Sequence, residues 1–267
     1  MIDISDVTKK SGRSGGVVAN RLRVPKASEI LANQIKQQIV QGDLCDGDHL
    51  PAESNLMQQF DVSRPTIREA YRILEAEQLV TVARGAKGGA IVHVPTSQLI
   101  TDYALLVLQS ERATVNEVYQ ARNAFEPALI RLIIYNNRDQ AVSVLTEAIK
   151  EEEASVSEPK AFAKALAGFH HALIELSGNR PMAHLYGCIN EVIERHQAMV
   201  VTLRHHGVVK GDEPVSPGLN SHRKLVRLIG KGMVDEAESH WRQHNEMAYE
   251  AWITGFEATT VLEIMSE

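Results

Sequence analysis

Apolar residues three and four apart recur along almost the whole chain, and that spacing commits most of it to amphipathic helices packed on one another. From about residue 99 onward the pattern predicts helices near 99–109, 114–134, 138–153, 160–177, 180–205, 216–230 and 233–255. Glu158-Pro159, Gly178-Asn179-Arg180, the stretch from Gly207 to Pro217, and Gly230-Lys231-Gly232 supply the breaks. β-Branched residues gather at Leu79 to Val82 and at Ala90 to Val94, on either side of Arg84-Gly85-Ala86-Lys87-Gly88-Gly89, a loop suited to a hairpin. The expected fold is mainly α.

Ahead of that hairpin, Leu31, Ile35 and Ile39 lie four apart and Gly42 stands where a C-terminal cap belongs. After a turn at Asp46-Gly47-Asp48 and Pro51, Leu56, Met57 and Phe60 mark a short second helix ending at Asp61. Ser63 can cap a third helix that tolerates Pro65 in its first turn, with Ile67, Ala70, Tyr71 and Leu74 as its apolar stripe. Three helices followed by a β-hairpin wing make a winged helix-turn-helix. At 267 residues the chain has room for two domains of about 150 residues or fewer. The division expected is a flexible basic leader at 1–24, a winged helix-turn-helix at 25–96, and an all-α antiparallel helical bundle at 97–267.

Composition narrows the function. Aromatics are only 5 %, so the cores should be aliphatic. Cys45 and Cys188 stand far apart outside any CxxC context, which argues against a disulfide scaffold and a thiolate zinc site and fits a reducing cytoplasm. No apolar run reaches the length of a membrane span and the N-terminus lacks a signal-peptide core, so a cytoplasmic chain with no membrane partner is expected. The net charge of −6 is unevenly distributed: 12 Lys+Arg face 11 Asp+Glu up to residue 98, against 16 and 23 beyond it. Only the N-terminal part is compatible with phosphate, and its leader, with Lys9, Lys10, Arg13, Arg21 and Arg23, is either a plain linker or an arm on DNA backbone.

Arg64, Thr66 and Arg68 fall at the start of the third helix, the end that a helix-turn-helix places in the major groove, where arginine can take the O6 and N7 acceptors of guanine. The run Gly42-Asp43-Leu44, Gly47-Asp48-His49-Leu50-Pro51-Ala52-Glu53, Val62-Ser63-Arg64-Pro65-Thr66-Ile67-Arg68-Glu69-Ala70, Leu74-Glu75 and Gln78-Leu79-Val80 resembles the GntR family of bacterial transcription regulators. That resemblance, over about residues 26–95, implies recognition of double-stranded operator DNA through Ser63, Arg64, Thr66 and Arg68, with Gly85, Lys87 and Gly88 at the wing tip. Ala52 and Ser54 depart from the family's usual Ser and Arg and remove a helix cap and a phosphate contact.

Further on, Val118-Tyr119-Gln120-Ala121-Arg122-Asn123-Ala124-Phe125-Glu126, Phe169-His170-His171-Ala172-Leu173 with Ser177-Gly178-Asn179, and Ser221-His222-Arg223 with His244 resemble the FCD effector domain of the FadR-type subfamily. The resemblance implies a homodimer whose bundle binds a small organic acid effector, in many members through a zinc-like metal. Independently, His222 and His244 lie equally far from the Gly230–Gly232 bend, about 16 Å along each arm of a helical hairpin, so they can face one another. With His170 beside them, three imidazoles suit zinc or another divalent transition metal, or else a metal-free pocket hydrogen bonded to an anion. Metal-binding members place an aspartate one turn before the first histidine, where this chain has Leu166.

Arg122 and Glu126 either pair along one helix or leave Arg122, with Asn123 as a polar neighbour, to hold the effector's carboxylate. His171 should point away from His170, and His184, His196, His205 and His206 are expected to be partly exposed structural groups. The expectation is a ligand-responsive transcription regulator, a repressor rather than an enzyme. A metal-responsive regulator and a three-His metalloenzyme are the rivals.

Overall fold

The computed structural model describes residues 25–83, 89–207 and 215–266. The basic leader and the wing residues Gly85, Lys87 and Gly88 therefore lie outside the described residues. The chain divides into two compact units, Met1–Pro95 and Thr96–Glu267.

In the first unit α1 (Ala27–Gln41), α2 (Glu53–Phe60) and α3 (Arg64–Ala76) precede β1 (Val80–Val82) and β2 (Ala90–Val92). Gly42 ends α1 in the left-handed region, φ 84°, where its amide turns back onto the carbonyls of Gln38 and Ile39. The strands pair antiparallel, Val80 opposite Val92, and the Ala83 amide bonds the Gly89 carbonyl, closing the base of the hairpin. Leu31, Ile35, Ile67, Leu74 and Val92 form an aliphatic core. Ile67, Ala70, Tyr71 and Leu74 bury one face of α3 and leave Arg64 and Arg68 exposed on the other.

The second unit is all helical: α4 (Ser97–Ser110), α5 (Val115–Ser155), α6 (Pro159–Leu176), α7 (Arg180–His205), α8 (Val215–Gly230), α9 (Val234–Ile253) and the short α10 (Val261–Met265). α5 runs through the middle and packs against α6, α7, α8 and α9. As the periodicity predicts with helices at 114–134 and 138–153, α5 is two helical segments that meet at a kink, Asn137 leaving the helical region at φ −142° and ψ 28°. The break has a use. Asn136 and Asn137 donate their side-chain amides to the carbonyls of Ser177 and Leu176, capping the end of α6. α10 was not anticipated, yet Thr260 and Glu263 form a capping box ahead of it. The Val115 amide bonds the Thr259 carbonyl and the Val261 amide bonds that of Ala113, stapling α10 across the start of α5.

Three apolar clusters share this unit, one around Ile133, Leu145, Phe169 and Trp241, a second around Val118, Phe162, Leu166 and Trp252, and a smaller one of Leu129, Ile174, Ala183 and Tyr186. α4 reaches α7 by a close approach at Gly187, where an added Cβ would stand 2.2 Å from the hydroxyl of buried Thr101. Gly187→Ala is expected to cost about 1–3 kcal/mol through overpacking. Most of that loss should be recovered in Gly187→Ala combined with Thr101→Ala, measured by urea denaturation of both variants.

Candidate functional site

On α3 the side chains of Arg64 and Arg68 straddle one carboxylate: Arg64 Nε lies 3.3 Å from Glu53 Oε2, and Arg68 Nε 3.3 Å from Glu53 Oε1. Glu53 opens α2, so it holds the two arginines of α3 side by side on the exposed face. Ser63 stands at the N-cap position but does not cap, which corrects the sequence expectation. Its hydroxyl pairs with that of Thr66 at 2.9 Å instead of with a backbone amide. Ala52 leaves α2 without a side-chain cap.

The second unit brings His170 of α6, His222 of α8 and His244 of α9 together, with one ligand nitrogen from each within 4.8 Å of the others. His222 Nε2 and His244 Nε2 are 3.3 Å apart, so the hairpin symmetry about Gly230–Gly232 holds. His222 stacks on Phe169 at 4.0 Å between ring centroids and His244 on Trp241 at 4.4 Å, which fixes both ring planes. Behind the rings stand two buried carboxylates. Nδ1 of His170 meets Glu126 at 2.8 and 3.0 Å, and Nδ1 of His222 meets Glu152 at 2.9 Å from both oxygens. A proton held on Nδ1 of His170 by ionised Glu126 leaves its Nε2 lone pair free, and Glu152 would do the same for His222 when it is ionised. Burial lowers the imidazoles of His170 to about 4 and of His222 to about 3, and His244 well below the ordinary value, so all three are neutral near pH 7.

This donor set fits a divalent metal. Two nitrogens bound to one tetrahedral zinc at about 2.0–2.1 Å stand about 3.3–3.4 Å apart, which is the separation of His222 and His244.

Glu126 is the most heavily engaged side chain of the unit. Burial pushes its carboxyl upward, but His170, Arg122 and the Tyr186 hydroxyl, which donates to it, bring it down to about 2. Trp241 Nε1 at 3.0 Å and Asn245 Nδ2 at 3.1 Å complete its shell. Arg122, 1 % exposed, has Nε 3.7 Å from Glu126, so the pairing along α5 exists. Its Nη2 donates to Asn245 at 3.2 Å, while buried Nε and Nη1 have no hydrogen-bond partner among the described residues. Glu152 is different: burial, reinforced by neighbouring Glu153 and opposed by His170, pushes it up to about 8.

A cavity of about 570 Å³ opens beside the histidines, lined by Arg122 and all three rings together with Leu166, Gln197 and Trp252. Arg122 thus both pairs with Glu126 and lines the cavity. Asn123 does not line it; its buried Oδ1 has no partner among the described residues. His171 points outward and meets Glu175 at 3.8 Å, as expected. His184, His205 and His206 are exposed, but His196 is fully buried, against expectation. It follows Val192 and Ile193 on the packed face of α7, and its Nδ1 meets the Tyr119 hydroxyl at 3.2 Å.

Residues 27–88 match the model of the bacterial regulatory proteins of the gntR family, and residues 117–247 match that of the FCD domain. The chain joins a GntR DNA-binding domain to an FCD domain. It is a ligand-responsive DNA-binding regulator, and its relatives are transcription regulators, not enzymes. The HTH-type transcriptional repressor NanR of Enterobacter sp. (strain 638) is 26 % identical over 230 residues, 78 % of this chain and 88 % of the relative. NanR of Klebsiella aerogenes is 26 % identical over 232 residues, 85 % of each. A solved Streptococcus agalactiae GntR, 23 % identical, shares the fold with a TM-score of 0.63 over 84 % of this chain and 99 % of its own.

Glu152, Tyr186, Trp241 and Asn245 escaped the sequence reading. Leu145, Ile149 and Glu152 fall on one helical face, and Trp241, His244 and Asn245 on another, so periodicity carried a signal. Glu126→Ala in the GntR–FCD chain is expected to destabilise the protein by about 3–5 kcal/mol, because Arg122 is left buried without its carboxylate. Guanidinium denaturation followed by Trp fluorescence measures it.

Proposed function

We propose that this GntR–FCD chain is a homodimeric cytoplasmic repressor that releases operator DNA when a small organic acid enters the FCD cavity at a divalent metal held by His170, His222 and His244. The observation that carries this reading is the convergence of three neutral imidazoles, two of them with Nδ1 tied to a buried carboxylate. Zinc or a similar ion there supplies a Lewis-acidic position for the acid's carboxylate. Arg122 supplies a buried guanidinium in the same cavity, with Nη1 uncommitted. Its pairing with Glu126 keeps that charge compensated while the site is open to water.

In the DNA-binding domain Arg64 and Arg68 are the base-reading side chains, with Ser63 and Thr66 beside them. Gly85, Lys87 and Gly88, outside the described residues, are the further DNA contacts of this reading, on the minor groove. Two copies would set two α3 helices at half-sites about one helical turn apart. The effector must bind the released geometry better than the operator-bound one, since equal affinity shifts nothing.

Purified protein is expected to carry about one zinc or similar ion per chain by elemental analysis, and His222→Ala to carry none. Glu152→Leu should weaken metal affinity about 10- to 100-fold in chelator competition, because the His222 ring loses its orienting acceptor. A metal-free protein after soaking in zinc would overturn the metal reading. Arg64→Ala should weaken operator binding by about 1–3 kcal/mol and relax discrimination at one base position in a gel-shift series. Unchanged affinity would remove Arg64 from base reading.

A further inference from the structure

The cavity has a direction. On α6, Phe162, Leu166 and His170 are spaced by four and all line it; on α9, His244, Ala248 and Trp252 do the same in the opposite sense. Each helix therefore presents a histidine, then an aliphatic side chain, then an aromatic one, over eight residues or about 12 Å. On α9 the lining turns polar on the other side of His244, with His240 one turn before it and Gln243 next to it. Phe162, Leu166 and Trp252 are buried members of one apolar cluster.

We infer that the effector is a monocarboxylate with a hydrocarbon body, an alkyl or aryl-alkyl chain, that lies with its carboxylate at the histidines and Arg122 and its body along the Phe162–Leu166–Trp252 wall. This rests on the carboxylate site proposed above and adds what selects among carboxylates. A polyhydroxylated acid of the same length would lose water from each hydroxyl that lies against the Phe162–Leu166–Trp252 wall, which offers no hydrogen bond. Polar lining residues stand off that wall, Asn220, Ser221 and Lys224 on α8 and Gln197 on α7, whose buried Oε1 lacks a partner among the described residues. A hydroxyl or N–H turned toward Gln197 or the α8 edge is accommodated; a row of them along the wall is not.

The test is calorimetric titration of the full chain, as purified with its metal, with acetate, butanoate, hexanoate, 3-phenylpropanoate and gluconate. Affinity is expected to rise about three- to fourfold per added methylene until the wall is covered. Gluconate, as long as hexanoate, should bind no better than acetate. Leu166→Asn should flatten the series while its metal content stays unchanged, so a folded variant is recognisable. A flat series in the unaltered protein, or gluconate tighter than hexanoate, overturns the hydrocarbon body and leaves the carboxylate site standing. No heat from any of the five overturns the carboxylate site and this inference with it.

Discussion

Everything in the second domain is arranged around one carboxylate that water does not reach. Glu126 stands on α5 and takes hydrogen bonds from α6 through His170, from α7 through Tyr186, and from α9 through Trp241 and Asn245. An ionised group so buried is tolerable only when every lone pair is met and a counter-charge is near. Arg122, one turn away, meets the second condition and Asn245 links the two groups. Four helices therefore have one relative placement that satisfies Glu126, and the ring of His170 has one orientation. An apolar core of the same volume would tolerate sliding; this one does not.

The same economy appears in the DNA-binding domain on a smaller scale. Glu53 gives each of its oxygens to a different arginine of α3, so Arg64 and Arg68 are already side by side before any nucleic acid is present. Both side chains are exposed, and the pairing is weak enough to yield to a guanine or a phosphate. What it removes is part of the ordering cost of two long, flexible side chains on binding.

Much of this was legible in the residues. The winged helix-turn-helix followed from apolar spacing and Gly punctuation, and the meeting of His222 with His244 followed from their equal distance to Gly230–Gly232. What escaped shares a cause: groups whose neighbours in sequence disguise their surroundings in space. Glu152 sits between Glu151 and Glu153, and a run of three acids looks like a solvated face, although the middle one is buried. His196 is polar by type, and only its place after Val192 and Ile193 indicates the core. The break at Asn137 was visible as an interruption; that its side-chain amide caps the end of α6 was not, because no local pattern describes that partner. Ser63 had the right position for a cap and spent its hydroxyl on Thr66.

The histidines are steered from behind, by Glu126 and Glu152 at their Nδ1 atoms, while the residues that face the cavity beyond them, Leu166 and Phe162 on α6 and Ala248 and Trp252 on α9, take no part in that steering. On the proposed reading, the part of the pocket that grips is thereby decoupled from the part that discriminates. A lineage carrying this fold can exchange the wall one side chain at a time and acquire a new effector, while the histidines, the helix packing around Glu126 and the DNA-binding domain remain intact.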